Sequence, residues 1–281
     1  MAHGRRGPTT ADSLREYGRG IAGGFLFSLP LILTMEVWAA GVLVPPMHLL
    51  AGLAATYILL CGYNAYAGLH HETRLSEILV DSVEELGIGL TLSAAILLLL
   101  GRIGPDSGWS EALGLIVVEG LFVAVGVSVG TAQLMGGGDD SDGRSGIQGR
   151  QQTIWSELTL ALCGAVLIAA NVAPTEEILL LAASMGPPLL LAAIGTSLLL
   201  AATLLYFSHF TGAARFAEAK GTFAILHGTA ITYASALAAS AAILWFFGRF
   251  AQHGLFLNVA QCVVLGIAGT LGASAGRLLL R

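Results

Sequence analysis

The chain has 281 residues, of which 55% are hydrophobic and 11% charged, and its formal net charge is −5. A typical soluble domain has about 25% charged residues, so this composition excludes an ordinary soluble protein and indicates a polytopic membrane protein. Because the chain has no basic cluster, we expect no nucleic-acid partner.

Eight apolar stretches are long enough to cross a bilayer, because about 20 helical residues span a hydrocarbon core of roughly 30 Å. In chain order they lie near 20–44, 48–68, 77–100, 111–134, 154–180, 189–209, 222–247 and 255–278. We therefore predict an all-α fold of eight transmembrane helices, with the lipid bilayer as its surroundings.

The sequence also contains an internal repeat. The pentapeptide SAAIL at 93–97 returns at 240–244, and the pair Gly101-Arg102 returns as Gly248-Arg249. Further back, TME at 34–36 matches TEE at 175–177. The offsets stay between 141 and 147 residues. Such a nearly constant offset predicts a duplicated unit, a common feature of membrane transporters.

The repeat divides the chain into four parts. We predict a cytoplasmic N-terminal tail at 1–18, a first four-helix repeat at 19–135, a flexible cytoplasmic linker at 136–152 and a second four-helix repeat at 153–281. The linker begins with GGGDD, which is typical of a flexible connection. Since each unit has an even number of spans, the two repeats should be parallel, related by an axis along the membrane normal.

Basic residues predict the orientation, because Lys and Arg collect on the cytoplasmic side of a membrane. With the N-terminus inside, only Arg102 and Arg249 of the 13 basic residues fall outside. Both chain termini are therefore expected in the cytoplasm.

Carboxylates within the apolar spans are the main candidates for function, since an ionised carboxylate near the bilayer centre costs on the order of 2.5–3.5 kcal/mol. Glu36 in the first span and Glu177 in the fifth are repeat mates in the outer half. Glu176 adds a third carboxylate, and Glu119 in the fourth span should reach a comparable depth. A pseudo-twofold axis can bring these four together.

A second acidic group lies in the third span. Its members are spaced i, i+4, i+7 and i+8, which places them on one helix face: Glu77, Asp81, Glu84 and Glu85. Their repeat mates in the second half carry no charge, so one half has specialised. Positions at the membrane interface, where carboxylates cost little, remain the alternative for these acids, above all for Glu77.

No Lys or Arg lies in the middle of any predicted span, so salt bridges are not expected for these carboxylates. They should be protonated, hydrogen-bonded, hydrated or occupied by a cation. This requirement favours a small cation or proton as the partner and disfavours an anionic substrate.

Two prolines predict broken helices. Pro174 follows Asn171 and precedes Thr175, and Pro30 lies four residues before Thr34. Proline removes a helical hydrogen bond, and the carbonyls freed at such a break can coordinate a cation. A packing kink without a ligand is the alternative.

Small residues recur at equivalent positions of the fourth and eighth spans, at Gly126 and Gly130 and at Gly272 and Gly276. Glycines four residues apart permit close helix contact, so we predict that they pack helices; they also permit, without requiring, a homo-oligomer. The three cysteines lie within apolar spans and are predicted to be core residues, and we expect no cofactor.

The segment APTEEI at 173–178, with the hydrophobic N-terminal half and the pair Glu84-Glu85, resembles a bacterial family of integral membrane proteins of unknown function. The resemblance spans nearly the whole chain and implies the inner (plasma) membrane of a bacterium, with no activity attached. Glu176-Glu177 is also similar to the paired glutamates of the intramembrane prenyl-protein endopeptidases. Those enzymes need an arginine four residues later, where this chain has Leu181.

The sequence thus favours a cation pathway that is not an enzyme, either a proton-coupled cation transporter or a cation channel. In this hypothesis Glu36 and Glu177 bind the ion or proton, and Glu119 and Glu176 assist. The inner half of the route is formed by Asp81, Glu84 and Glu85. One alternative is an intramembrane hydrolase that uses Glu176 and Glu177 with His209 or His227. The other is a non-catalytic membrane assembly subunit, whose acids would enclose no cavity.

Overall fold

The computed structural model describes residues 10–67, 74–133, 154–212, 214–251 and 253–279. Within these ranges all regular elements are helices: α1 Thr10–Ile32, α2 Met35–Leu43, α3 Pro46–Ala67, α4 Leu75–Leu99, α5 Trp109–Gln133, α6 Ile154–Ala169, α7 Glu176–Ser184, α8 Pro187–Gly212, α9 Ala214–Phe246 and α10 Leu255–Leu279. The predicted linker at 136–152 and the first nine residues of the predicted tail lie outside the described residues.

Six of the described helices are long and apolar enough to cross a membrane: α3, α4, α5, α8, α9 and α10. A seventh span results if α1 and α2, which meet at a bend of 86°, are counted together. Helix α6 is apolar but has only 16 residues, short of the roughly 20 that a bilayer requires. The predicted all-α membrane fold is confirmed, whereas two of the eight predicted spans, 20–44 and 154–180, are interrupted.

The two interruptions have a similar local cause. Pro30 lies two residues before the end of α1, and Pro174 lies in the non-helical stretch 170–175 between α6 and α7. Proline lacks the backbone N–H that a helix needs and clashes with the preceding turn. After each break a threonine with extended backbone, Thr34 or Thr175, begins a nine-residue helix. The chain therefore changes direction at corresponding places.

Each half is organised around a central helix. In the first half α5 packs against α1, α2, α3 and α4, and in the second half α10 packs against α6, α7, α8 and α9. Between the halves the most extensive helix contact joins α3 to α6. An apolar core with members from both halves, among them Val118, Phe122, Phe246 and Val264, lies next to this contact.

Glycine allows the first helix of each half to approach the central helix closely. A Cβ atom on Gly23 of α1 would lie 2.7 Å from the carbonyl oxygen of Gly126 in α5. Likewise, a Cβ atom on Gly164 of α6 would lie 2.8 Å from the Cα atom of Gly276 in α10. Both glycine faces are therefore occupied within one chain, and they do not provide a surface for a second copy.

A left-handed glycine ends the fourth helix of the first half and its counterpart α9. Gly101 has a φ of 67° and Gly248 a φ of 71°, values that favour glycine because it has no side chain. The next residues, Arg102 and Arg249, each donate a backbone hydrogen bond into the helix end that precedes them. These turns direct two arginine side chains toward the broken helices.

Candidate functional site

A pocket of about 340 Å³ lies between α2 of the first half and the second half. Its walls are α2 with the turn that follows it, the break between α6 and α7, and residues 247–251 and 253 after α9. Glu36 and Glu176, two of the four carboxylates predicted to meet, line it together with Arg249 and His253. We call this space the α2 pocket.

Arg249 neutralises one of these carboxylates. Its Nη1 donates to Oε1 of Glu176 at 2.8 Å, and its Nη2 donates to the backbone carbonyl of Pro174. The prediction that these carboxylates have no basic partner is therefore wrong at Glu176, and the cation at the α6–α7 break is a guanidinium. The sequence did not reveal the pair because its two members lie 73 residues apart.

The corresponding arginine of the first half has a different partner. The guanidinium of Arg102 lies 3.5 Å from the ring centroid of Trp38, whose indole N–H donates to the carbonyl of Ile32 at 2.9 Å. This is a cation–π contact at an exposed position. Glu36, which is half-buried, has no ion pair or hydrogen bond to its side chain within the described ranges.

The remaining two predicted partners lie elsewhere. Glu177 is exposed and does not line the α2 pocket. Glu119 is in α5, with its side chain completely buried. The four predicted outer carboxylates thus do not form one cluster, because residues 176 and 177 diverge at the start of α7 and α5 is covered by other helices.

Asn171, which was predicted to lie at the helix break, forms hydrogen bonds between the two halves. Its Oδ1 accepts from the backbone N–H of Leu31 at 3.1 Å, and its Nδ2 donates to the carbonyl of Phe27 at 3.0 Å. Residues 27 and 31 would be hydrogen-bonded to each other in a regular helix. The amide of Asn171 therefore bridges the opened turn of α1 beside Pro30.

Glu119 is the most deeply buried of the predicted carboxylates. It is 0% exposed, and the indole of Trp38 lies beside its carboxyl group. The indole N–H donates to Ile32, so neither carboxyl oxygen has a hydrogen bond of regular geometry among the described residues. It is ten residues into α5, about 15 Å along the helix axis from the first residue. An ionised carboxylate there costs several kcal/mol, and protonation removes that cost.

Glu85 has polar neighbours but no arginine among the described residues. Asn64 of α3 donates to Oε2 of Glu85 at 2.8 Å and to the hydroxyl of Ser82 at 3.1 Å. The hydroxyl of Ser128, on α5, also lies beside the carboxyl. Glu85 is half-buried, so three helices place it in a polar site inside the first half.

Glu85 and Glu119 lie on two adjacent helices, α4 and α5. Close contacts of Gly89 with Ala124 and of Gly120 with Leu90 fix an antiparallel register. In that register Ser93 is level with Glu119, as Ser128 is with Glu85. Eight residues of α4 separate the two levels, about 12 Å at 1.5 Å per residue. The hydroxyl of Ser93 is buried and has no partner within the described ranges.

The rest of the predicted acidic stripe lies nearer the surface. Glu77 is exposed and accepts from the backbone N–H of Arg74 at 3.4 Å, at the start of α4. Glu84 is exposed and accepts from the Tyr17 hydroxyl of α1, while Asp81 is half-buried. The four acids therefore share a helix but not an environment.

The second half has a buried ion pair beside Thr232, the residue that the sequence repeat aligns with Glu85. Arg277 of α10 is 4% exposed, and its Nη2 donates to Oε2 of Glu157 in α6 at 2.9 Å. Its Nη1 donates to the hydroxyl of Thr232, the repeat mate of Glu85, at 2.7 Å. Sequence reasoning placed Arg277 at the cytoplasmic surface and missed this pair.

Several buried polar residues also escaped sequence reasoning, although the repeat contained a signal for them. Four serines within the repeated motifs have buried hydroxyls: Ser93, Ser128, Ser240 and Ser274. The hydroxyl of Ser128 lies beside Glu85, and the other three have no hydrogen-bond partner among the described residues. Gln261 of α10 is completely buried too, and its amide atoms lack partners in the same ranges. The serines recur with the motifs, whereas Gln261 matches Leu115 in the first half.

The histidines proposed for a hydrolase do not gather at Glu176 and Glu177. His227 is exposed, and some 20 helical residues, about 30 Å, separate it from residues 247–251. The side chain of His209 lies outside the described residues. Within the described ranges no group of three or more His, Cys, Asp or Glu residues could hold a metal ion, and Cys61, Cys163 and Cys262 are free thiols.

Comparison with known proteins identifies the family. A family model described as "Putative integral membrane protein (DUF2391)" matches residues 16–280. The chain therefore belongs to this family of integral membrane proteins, as the resemblance at APTEEI indicated. No curated protein and no solved structure matches the chain.

Proposed function

We propose that this integral membrane protein is a proton-coupled cation transporter in which Glu119 and Glu85 carry the proton. The observation that carries the proposal is the complete burial of Glu119, whose carboxyl oxygens have no hydrogen bond of regular geometry among the described residues. A carboxyl group in that position reduces stability, and intramembrane carboxyls of this kind are typical of proton relays.

The second carboxyl gives the proton a route from Glu119. Glu85 lies about 12 Å away along the α4–α5 seam, as counted from the helix rise. Ser93 and Ser128 provide buried hydroxyls at the two levels. In the second half the same seam keeps Ser240 and Ser274 but has no carboxyl at either level, so the proton route belongs to the first half.

The tight packing of this seam favours a transporter over a channel. A channel needs a continuous wetted path, whereas Gly89 with Ala124 and Gly120 with Leu90 bring α4 and α5 into direct contact. Protons can pass such a seam only with movement of the helices. The broken helices α1–α2 and α6–α7 offer places for that movement, as in other transporters with interrupted spans.

In this proposal the two halves are tandem parallel repeats of four spans, in which α1–α2 and α6–α7 are broken first spans. The corresponding breaks, the paired glycine seams and the left-handed Gly101 and Gly248 support this view. The distribution of basic residues supports cytoplasmic termini in a bacterial inner membrane. Labelling of a cysteine at Ala251→Cys from outside the cell would test this orientation, and labelling only from inside would contradict it.

Proton flux in proteoliposomes tests the function. Sodium, potassium or organic-cation gradients are imposed on vesicles with an internal pH dye, and parent protein is compared with Glu119→Gln and Glu85→Gln. We expect at least a tenfold loss of cation-driven proton flux in both variants. Glu111→Gln is the matched control, because Glu111 is an exposed acid on the same helix as Glu119, and it should keep parental flux.

Parental flux in Glu119→Gln would contradict the proposal. A complete lack of flux in the parent under all three gradients would instead favour the assembly subunit. The α2 pocket weighs against that alternative, because an assembly subunit was expected to have acids that enclose no cavity. The pairing of Glu176 with Arg249 leaves the hydrolase without a free glutamate pair.

A further inference from the structure

We infer that the α2 pocket binds a small organic cation, a protonated amine with an apolar body. The inference rests on the proposed function, for which it names the class of substrate. Its starting point is the charge of the pocket. Glu36 and Glu176 are the carboxylates in its walls, and Arg249 and His253 are the basic side chains.

The charge that remains unbalanced belongs to Glu36. Arg249 is already engaged by Oε1 of Glu176 and by the carbonyl of Pro174, so its charge is compensated within the second half. Glu36 comes from the opposite wall and has no ion-pair partner in the described part of the chain. The pocket therefore presents a net negative charge on the α2 side, which attracts a cation and repels an anion.

The other walls select an organic cation over a metal ion. Leu43, Val44 and Phe247 contribute apolar surface beside Glu36. Hard metal ions such as Ca²⁺ take about six to eight oxygen ligands, which one free carboxylate cannot supply. A volume of about 340 Å³ falls within the roughly 300–1,000 Å³ that small-molecule pockets occupy. An ammonium group at Glu36 and a hydrocarbon body on the apolar wall would use both features.

The position of the pocket suits a transported ligand. One wall is α2, which follows the break in the first half, and the opposite wall includes Pro174 at the break in the second half. A bound amine would contact both halves at the points where their helices change direction. Occupancy would thereby favour one relative position of the halves, which is the requirement for coupling binding to movement.

Binding to purified protein in nanodiscs tests the inference without any flux. The probes are phenethylamine, 2-phenylethanol and 3-phenylpropionate, which share an apolar body and differ in charge, and empty nanodiscs correct for partition into lipid. We expect saturable binding of phenethylamine only. The variant Glu36→Gln should weaken it at least tenfold, equivalent to about 1.4 kcal/mol. Glu177→Gln, the repeat mate outside the pocket, should bind within twofold of the parent.

A second variant tests the inference by filling the α2 pocket with a large side chain. Ala39 is exposed and lines the pocket, so Ala39→Trp should fill the space without disturbing a buried core, and phenethylamine binding should be lost. The inference is overturned if the alcohol or the acid binds as well as the amine. It is equally overturned if binding is absent in the parent, or if it persists unchanged in Glu36→Gln or Ala39→Trp.

The two proposals can fail separately. Phenethylamine binding with parental proton flux in Glu119→Gln would contradict the proton role and leave the amine site standing. Absence of binding, together with proton flux that depends on Glu119 and is driven by sodium or potassium, would overturn the amine site alone.

Discussion

Glu119 and Leu265 lie at matching positions of the two central helices, and both are completely buried. Leucine suits such a position, because its side chain gives up only hydrocarbon surface to the interior. Glutamic acid of similar size gives up hydrogen bonds to water and finds no replacement among the described residues. Because both positions are completely buried, the difference between them in free energy of folding should come mainly from the carboxyl group.

Replacement of Glu119 by the residue of the other half should therefore stabilise the protein. We expect Glu119→Leu to raise the free energy of unfolding by about 1–3 kcal/mol, the usual cost of a buried polar group without a partner. Thermal unfolding of parent and variant in the same detergent measures this. Proton flux should be lost in the same variant, in line with the common conflict between stability and activity at functional sites. A less stable Glu119→Leu would contradict this expectation and indicate that the Trp38 indole stabilises the carboxyl group.

Two ion pairs allow a matched comparison of buried and exposed charge. The Arg277–Glu157 pair has side chains 4% and 20% exposed, whereas those of the Arg249–Glu176 pair are 18% and 60% exposed. Glu157→Gln removes the carboxylate from a buried guanidinium and should cost about 3 kcal/mol or more. Glu176→Gln should cost no more than about 1 kcal/mol. Denaturant unfolding of the parent and the two variants measures the loss of unfolding free energy in each variant. Equal losses would contradict the difference in burial between the two ion pairs.

At the level of the helices, close glycine contacts hold α1 to α5 and α6 to α10. Gly130 of α5 lies against Gly23 of α1, and an added Cβ would lie 3.0 Å from the Gly23 nitrogen. Gly87 of α4 has open space around it, with nothing within 4 Å of an added Cβ. The two glycines thus differ in packing while both are helical.

Alanine substitution should consequently have opposite effects at these glycines. Gly130→Ala should destabilise the fold by about 1–3 kcal/mol, because the helices must separate. Gly87→Ala should be neutral or stabilise by up to about 1 kcal/mol, since alanine favours the helix. Thermal unfolding of both variants provides the measurement. A tolerated Gly130→Ala would show that α1 and α5 are not packed as described.

The two helix breaks could be predicted from the sequence, whereas the side chains that contact the broken helices could not. Pro30 and Pro174 predict interruption through a local effect, the missing N–H, which sequence alone conveys. The partner of the second break, Arg249, arrives from a distant loop whose direction depends on the left-handed Gly248. Long-range pairs of this kind depend on tertiary packing, so neither the Arg249 contact nor the bridge from Asn171 to α1 could be deduced from spacing.

On the scale of the whole molecule, composition predicted the membrane fold, and periodicity placed the acids on the correct helices. Periodicity did not predict that Glu85 lies inside a polar site while its neighbour Glu84 is exposed. Helical spacing gives relative directions, but the choice of buried face depends on where α3 and α5 pack. The repeat predicted that Glu36 and Glu176 meet, and both line the α2 pocket, whereas the separate positions of Glu177 and Glu119 depend on how the helices pack.

In the proposed function, the buried carboxyl of Glu119 releases its proton when a cation binds elsewhere in the same molecule. Proton release on cation addition measures this exchange most directly, with purified protein in nanodiscs in weakly buffered solution and a pH-sensitive dye. The account predicts that sodium, potassium or phenethylamine hydrochloride releases protons from the parent in proportion to protein, and that Glu119→Gln releases none while Glu111→Gln matches the parent. Equal release from parent and Glu119→Gln, or no release from the parent with any of the three, would contradict it.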